Sequence, residues 1–192
     1  MRPVKSRIFW SLIDRVVSRW LAIEPLSKDG ASIISIEHRK HRGKSVLLDD
    51  DTVVTAGDSL IELHMNNEWF VYNREKFAGS PGGLLWKSTA AFTDDLRALA
   101  GQLTDGRLSA EIKALHGTTT LYASARYLGF TITEIPGSLR KCLTTFYLRA
   151  LRRTYGADSG RAHKIWRKPP VIKEVWMSKS KLIEKYGPKK GY

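Results

Sequence analysis

The order of apolar and polar residues predicts one amphipathic helix followed by several short strands. Within residues 6–21 the apolar side chains recur at helical spacing and give a helix with a wide apolar arc. From Ser32 to Met65 the repeat shortens toward two residues, which is typical of strands. We expect these strands at 33–36, 45–48, 52–54 and 60–65, joined as a small antiparallel meander.

The rest of the chain is predicted to be mostly helical. Residues 66–91 lack a clear period, and 79–83 have the composition of a loop. Thr93, Asp94 and Asp95 are typical of a helix N-terminus, so we expect a helix over 94–103. Further helices are expected at 108–115, 118–128, 138–155 and 179–186, with strands at 130–135 and 171–177 and a loop at 157–170. These elements predict a single compact α+β domain over 6–187, in which the meander packs against several helices, followed by a flexible tail at 188–192.

Composition and motifs narrow the class of protein. Of the 192 residues, 42% are hydrophobic, which is enough for a folded core. Cys142 is the single cysteine, so neither an intramolecular disulfide nor a thiolate zinc site is expected. No run approaches the ~20 apolar residues of a membrane span and no signal peptide is evident. No spacing matches a phosphate-binding loop, a Rossmann fingerprint or a metal-binding helix. We therefore expect a cytoplasmic protein, with peripheral membrane attachment as an option, that holds no cofactor and no metal.

The charge is concentrated at one end of the chain. Residues 1–136 carry 17 Lys and Arg against 16 Asp and Glu, whereas residues 137–192 carry 15 against 3. On the predicted helix at 138–155, Lys141, Arg149 and Arg152 share one face. A basic end on a neutral body favours an anionic partner, although charge of this kind also serves solubility alone. The predicted anion-binding residues are Lys141, Arg149, Arg152, Arg153, Arg161, Lys164, Arg167 and Lys168.

Two histidines are candidates for a site. On the predicted strand at 60–65, Glu62 and His64 share one face with Asn66, so the carboxylate could orient the imidazole for proton transfer, or both could bind a polar ligand. A solvent-exposed strand face is the alternative. His116 precedes Gly117-Thr118 at the junction of two predicted helices, where an anion could bind, with simple helix capping as the alternative. The candidate ligand-binding residues are Asp58, Glu62, His64, Asn66, His116 and Thr118.

Several segments together resemble a bacterial family, the YkoP-like domain. They are Gly57-Asp58-x-x-x-Glu62-Leu63-His64-x-Asn66-Asn67, the stretch from Leu115-His116-Gly117-Thr118-Thr119 to Leu128-Gly129-Phe130, the helix at 139–155, and Val175-Trp176-Met177-Ser178 with Leu182 and Tyr186. The resemblance covers most of 6–187. It implies a compact α+β accessory domain, in a family whose members occur alone or appended to polysaccharide deacetylases. The metal site of those deacetylases has no counterpart among the Asp and His residues of this chain.

Three functions follow as hypotheses. The first is a non-catalytic accessory or binding domain whose basic C-terminal face engages an anionic partner, either a membrane surface or an envelope glycan, with a link to envelope polysaccharide or glycolipid metabolism. The second is an enzyme acting on an envelope sugar or lipid, with His64 as the base, Glu62 as its orienting partner and His116 or Asn66 holding the substrate. The third is nucleic-acid binding without sequence specificity, through the C-terminal cations. The oligomeric state is left open.

Overall fold

The computed structural model describes residues 23–27, 32–66, 69, 73, 81–136 and 171–188, with the backbone alone for 81–86. Several predicted elements lie outside these residues. They are the helix at 6–21, the helix at 138–155, the loop at 157–170 and the tail beyond 188. Within the described stretches, no helix has both the length and the apolar composition that crossing a bilayer requires.

The described strands form one six-stranded sheet and one small ribbon. In chain order they are β1 (Glu24–Pro25), β2 (Ile34–Lys40), β3 (Val46–Leu47), β4 (Val53–Val54), β5 (Ser59–Met65), β6 (Ile112–Thr119), β7 (Thr131–Glu134) and β8 (Lys173–Ser178). The sheet has the order β1-β2-β5-β6-β8-β7, and β3 and β4 pair separately. All neighbours in the sheet are antiparallel except β5 and β6, which are parallel.

This topology confirms the α+β class and corrects the predicted meander. The strands between Ser32 and Met65 do not pair in sequence, because β3 and β4 leave the sheet as a ribbon while β2 pairs directly with β5. The parallel pair of β5 and β6 requires a crossover connection, since the chain must return to the same end of the sheet. That connection contains helix α1 (Pro81–Thr104).

Helix α1 begins earlier than the sequence indicated. The predicted loop at 79–83 was wrong from Pro81 onward, and Thr93, Asp94 and Asp95 lie inside the helix and not at its N-terminus. Proline is favoured at the first helical position, which offsets the poor helix propensity of the two glycines after it. Asp95 also has a different role, because its Oδ2 accepts hydrogen bonds from Ser32 Oγ at 2.7 Å and from Ile34 N at 2.8 Å. Burial raises the pKa of Asp95 despite these bonds.

Strand β6 was predicted as helix, and this is the largest correction. The expected helices at 108–115 and 118–128 are replaced by β6 and by the short helix α2 (Tyr122–Tyr127), so Gly117 lies within a strand. Residues 114–117 of β6 are all buried, because the strand lies between β5 and β8 with packing on both faces. A strand covered on both sides loses the alternation that identifies strands in a sequence.

The last helix and its ends follow the prediction. Helix α3 (Lys179–Tyr186) begins after Ser178, whose side chain accepts a hydrogen bond from Lys181 N as an N-cap. Gly129 follows α2 with φ +94°, the left-handed conformation in which glycine is favoured. The strands at 130–135 and 171–177 are confirmed as β7 and β8 within one or two residues.

The two faces of the sheet are covered differently. On one face, α1 and α3 bury the main core, which contains Leu96, Leu99, Leu115, Met177 and Leu182. On the other face, the β3–β4 ribbon covers a smaller apolar cluster of Leu48, Val54, Leu60, Ala114 and Trp176. The ribbon is tied down by a hydrogen bond between Asp50 and Ser178. Beside this smaller cluster, the same face carries charged side chains.

Candidate functional site

Charged side chains from four neighbouring strands meet on the ribbon side of the sheet. Glu62 on β5 stands opposite His116 on β6, which in turn stands opposite Trp176 on β8. Glu174 lies two residues before Trp176 and therefore faces the same side. Arg39 of β2 completes the group through its contact with Glu62. We call Arg39, Glu62, His116 and Glu174 the polar cluster.

The polar cluster is centred on the His116 imidazole. His116 Nδ1 lies 2.6 Å from Glu62 Oε2, and Arg39 Nη1 lies 3.0 Å from the same oxygen. On the other side of the ring, His116 Nε2 lies 3.8 Å from Glu174 Oε1, which is an ion-pair distance and too long for a hydrogen bond. The side chains of His116 and Glu174 are each 4% exposed. An imidazole is thus held between two carboxylates in a buried position.

These neighbours shift the titration of both central groups. Burial acts to lower the pKa of His116, but the carboxylates of Glu174 and Glu62 outweigh it and raise the pKa above the ordinary histidine value. Burial acts to raise the pKa of Glu62, yet the hydrogen bond and charge of His116, together with Arg39, hold that pKa below its usual value. Both shifts favour the form of the pair in which the imidazole carries the proton and the carboxylate is negatively charged.

Three members of the polar cluster, Arg39, His116 and Glu174, line a cleft of about 600 Å³ between the sheet and the β2–β3 loop. His116, Glu174 and Trp176 lie at its inner end, and Val46 and Leu47 of the ribbon form one wall. Its rim is cationic, with Arg39 at 38% exposure and with Arg42 and Lys44 exposed. In the described part of the chain, no carboxylate lies within ion-pairing distance of Arg42 or Lys44. We call Arg39, Arg42 and Lys44 the cationic rim.

Aromatic and backbone contacts fix the shape of this cleft. The His116 ring packs against Trp176 with centroids 4.0 Å apart, and His41 meets the same indole edge-on at 5.5 Å. Trp176 Nε1 donates to Thr133 Oγ1 at 3.0 Å. His41 Nε2 lies 2.8 Å from Lys44 O, and this holds the loop that carries the cationic rim. The walls of the cleft are therefore preorganised by contacts with neighbouring strands.

The structure brings Glu62 and His116 together but corrects two sequence-based roles. His116 lies in the middle of a strand and not at a helix junction, so no helix terminus is available for the anion site predicted there. Glu62 was expected to orient His64, but it contacts His116, and His64 Nε2 instead lies 3.0 Å from Glu37 Oε2. Glu62 is directly opposite His116, and opposite residues on adjacent strands are closer than residues two apart on one strand, so this cross-strand pair forms. Glu37 is a diagonal neighbour of His64 on β2, within reach of the imidazole.

The other candidate ligand-binding residues lie outside the cleft lining. Asp58 closes the turn before β5, where its carboxylate accepts from Thr55 N at 2.7 Å. Asn66 donates to the backbone oxygen of Ser32 at 3.1 Å. Thr118 lines a separate, mainly apolar cavity of about 90 Å³. These contacts give Asp58 and Asn66 roles in a turn and in joining two segments of backbone.

None of the eight predicted anion-binding residues is within the described part of the chain. Of the cations that follow residue 136, the structure describes Lys173, Lys179, Lys181 and Lys185. Lys173 is ion-paired with Glu134, and Lys181 Nζ lies 4.0 Å from Asp49 Oδ2. The C-terminal cations that can be located are thus partly neutralised by acidic residues of the same domain.

Sequence reasoning missed the cationic rim and Glu174. The stretch 38–44, His-Arg-Lys-His-Arg-Gly-Lys, was not among the predicted anion-binding residues. Its density of cations was the available signal for an anion-facing loop. Glu174 had no comparable signal, because a single carboxylate in an apolar strand marks a site only when its neighbours are known.

Across the described residues, no group of three or more His, Cys, Asp or Glu has a geometry that could hold a metal ion.

The fold and this site define a small α+β domain with a buried polar cluster beneath a cationic rim. A family model described as the YkoP domain matches residues 6–186, and the chain belongs to that family. It is similar to the Uncharacterized protein YkoP of Bacillus subtilis (strain 168), with 19% identity over 135 residues, covering 69% of this chain and 72% of that protein. No solved structure matches the chain.

Proposed function

We propose that this domain is a non-catalytic binding domain and that its ligand is an anionic glycan of the cell envelope, held in the cleft under the cationic rim. The observation that carries the proposal is the placement of three cations, Arg39, Arg42 and Lys44, at the mouth of a cleft of about 600 Å³. Cations at the edge of a concave, partly apolar site concentrate anionic ligands there.

The shape of the site favours a glycan over the other anionic partners. A cleft of this volume encloses a ligand of one or a few sugar units, within the usual range for small-ligand sites of roughly 300–1,000 Å³. A bilayer surface and a nucleic-acid duplex are both too broad to enter a cleft of about 600 Å³. The polar lining of the inner end also suits a hydroxyl-rich ligand better than an acyl chain.

Titration calorimetry of the full chain with oligogalacturonate, a uronic-acid oligosaccharide, tests the proposal. A neutral dextran oligosaccharide is the comparison ligand. We expect binding of the uronate that weakens with added salt, and no measurable binding of dextran. In the variant Arg42→Ala/Lys44→Ala, the affinity for oligogalacturonate should fall by about tenfold.

A matched control separates the rim from net charge. Arg97→Ala/Arg107→Ala removes the same charge from two exposed side chains outside the cleft lining, and its affinity should stay within about twofold. Equal losses in the two double variants would contradict a site at the rim. If the protein does not bind oligogalacturonate but co-sediments with anionic liposomes, its partner is a membrane surface and the glycan proposal is wrong. If it instead shifts duplex DNA in a gel, its partner is a nucleic acid.

An enzyme acting on the same ligand is the second candidate, and the contact between Glu62 and His116 favours it. A carboxylate on Nδ1 orients an imidazole so that Nε2 can transfer a proton. The carboxylates of Glu174 and Glu62 raise the pKa of His116, and a raised pKa favours the protonated ring, which suits an acid better than a base. Mass spectrometry of oligogalacturonate after prolonged incubation distinguishes the two, because a binding domain leaves its mass unchanged whereas an enzyme produces cleaved or modified species that His116→Gln abolishes.

A further inference from the structure

The loop between β2 and β3 carries two of the three rim cations and closes around one side chain. His41 is the first residue of this loop, and its imidazole Nε2 lies 2.8 Å from the carbonyl oxygen of Lys44. A carbonyl oxygen only accepts, so Nε2 carries a proton and donates it. Arg42 lies between the two ends of this hydrogen bond, and Lys44 forms one of the ends. The bond therefore closes a four-residue turn that contains both cations.

The imidazole of His41 is also held by the sheet. Its ring meets the buried indole of Trp176 edge-on, with centroids 5.5 Å apart. The backbone of His41 is bonded as well, because its N–H donates to Asp58 O at 2.8 Å and its carbonyl oxygen accepts from Gly57 N at 2.9 Å. His41 thus connects a loop with exposed cations to a buried residue of β8.

Gly43 leaves the space that this ring occupies. A Cβ atom at position 43 would lie 2.9 Å from His41 Cε1 and 3.3 Å from His41 Nε2. Carbon atoms in favourable contact are about 3.5–4.0 Å apart, so the ring would have to move. The φ angle of Gly43 is outside the left-handed region, so the requirement for glycine comes from the ring and not from the backbone conformation. A side chain at position 43 would therefore push the imidazole away from the Lys44 carbonyl or from the indole.

We propose that His41 is a positioning residue for ligand binding, whose imidazole holds Arg42 and Lys44 at the mouth of the cleft, and that Gly43 is required because it admits the ring. A loop that is already held in its binding conformation loses little conformational entropy when a ligand binds, so its affinity is higher than that of a mobile loop. This inference rests on the proposed glycan binding. It adds that the cationic rim acts through the fixed placement of its cations and not through their charge alone.

Substitutions of His41 separate its hydrogen bond from its ring contact. His41→Phe keeps an aromatic ring beside Trp176 but removes the donor, and it should weaken the binding of oligogalacturonate by about fivefold in titration calorimetry. His41→Gln keeps an N–H donor and should stay within about twofold of the unmodified protein. His38→Phe is the matched control, because it removes an exposed imidazole of β2 outside the cleft lining, and its effect should also stay within about twofold. All three variants retain the rim cations.

A double-mutant cycle tests whether Gly43 acts through the ring. Gly43→Ala and His41→Ala should each weaken the binding of oligogalacturonate by about fivefold. In the double variant, Gly43→Ala should add less than about twofold to the loss caused by His41→Ala, because the ring that it displaces is absent. Losses that multiply, to about 25-fold in the double variant, would overturn the proposed role of Gly43.

A measurement on the unmodified protein guards against a variant that fails to fold. NMR relaxation of the backbone amides of Arg42 and Lys44 should give order parameters above about 0.6 in the free protein, and lower values would overturn the positioning role. Equal affinity of the unmodified protein and His41→Phe for oligogalacturonate would also overturn it, while leaving the rim site intact. Absence of binding to the unmodified protein would overturn the proposed function and this inference together.

Discussion

Replacing Glu62 by glutamine should destabilise the protein in a pH-dependent way. Glu62 Oε2 accepts from His116 Nδ1 at 2.6 Å and from Arg39 Nη1 at 3.0 Å. A hydrogen bond to a charged group contributes about 1.5–3 kcal/mol. The share from Arg39 is smaller, because its side chain is 38% exposed and screened by water. Removing Glu62 leaves the protonated His116 with only Glu174, at 3.8 Å, as a carboxylate partner, so we expect a loss of about 3 kcal/mol while His116 is protonated.

The sign of the pH dependence follows from the two pKa directions. The folded state raises the pKa of His116, so its contribution is complete below the ordinary histidine value of about 6.5 and declines as the pH rises through the raised value. The folded state lowers the pKa of Glu62, so its contribution is complete above about pH 4.3 and declines as the pH falls through the lowered value. The loss caused by Glu62→Gln should therefore be largest between about pH 5 and 6.5 and shrink to about 1 kcal/mol in alkaline solution.

Urea unfolding followed by circular dichroism measures this loss at about pH 6 and about pH 9. Glu37→Gln is the matched control, since Glu37 is paired with His64 on the same face but His64 is 30% exposed. Its loss should stay below about 1 kcal/mol at either pH. A loss for Glu62→Gln that is the same at both pH values, or no larger than that of Glu37→Gln, would refute the ion pair described here.

Three further substitutions probe the scaffold by the same unfolding measurement. Asp95→Ala removes two buried hydrogen bonds to the start of β2 and should cost about 2 kcal/mol, whereas its exposed neighbour Asp94→Ala should cost less than about 0.5; similar losses in the two would contradict the anchoring role. Ser178→Ala removes the N-cap of α3 and the tie to the ribbon, and should cost about 1–2 kcal/mol; an unchanged midpoint would be the contrary result. Gly129→Ala should destabilise the protein by about 1 kcal/mol, because φ at this position is +94°. Gly101→Ala, inside α1 with open space around the added methyl group, should stabilise the protein by about 0.5–1 kcal/mol. Effects of the same sign would disprove this reasoning.

Elements with a clear local signal were predictable from the sequence. Strands β5, β7 and β8 alternate or follow turn residues, and α3 has a serine N-cap and a glycine stop. The start of α1 was missed because Pro81 and two glycines favour a loop when only neighbours in sequence are considered. Strand β6 was missed because Ala114, Leu115 and His116 are buried together, which matches a helix as well as a central strand.

The sequence predicted individual residues of the polar cluster but not the contacts between them. Glu62 and His116 were each recognised as candidates, yet they are 54 residues apart and meet only through the parallel register of β5 and β6. That register depends on the crossover through α1 and on packing against the helices, neither of which is encoded in a local pattern. Glu174 joins through a third strand, so its role depends on the register of β6 with β8. The chemistry of the site is therefore a property of the sheet topology.

Two parts of one sheet face bury different kinds of side chain, apolar in one part and charged in the other, and this difference supports the proposed site at the polar cluster. Leu60, Ala114 and Trp176 show that this face can bury apolar side chains under the ribbon. Two residues away on each strand, the same face instead buries Glu62, His116 and Glu174. Apolar residues of similar volume in place of a buried ion pair are often neutral or stabilising by about 1–4 kcal/mol, so the charged half of the face is not explained by stability. The proposed recognition of a ligand through the cleft would account for charge at that position, and for the cations at its mouth.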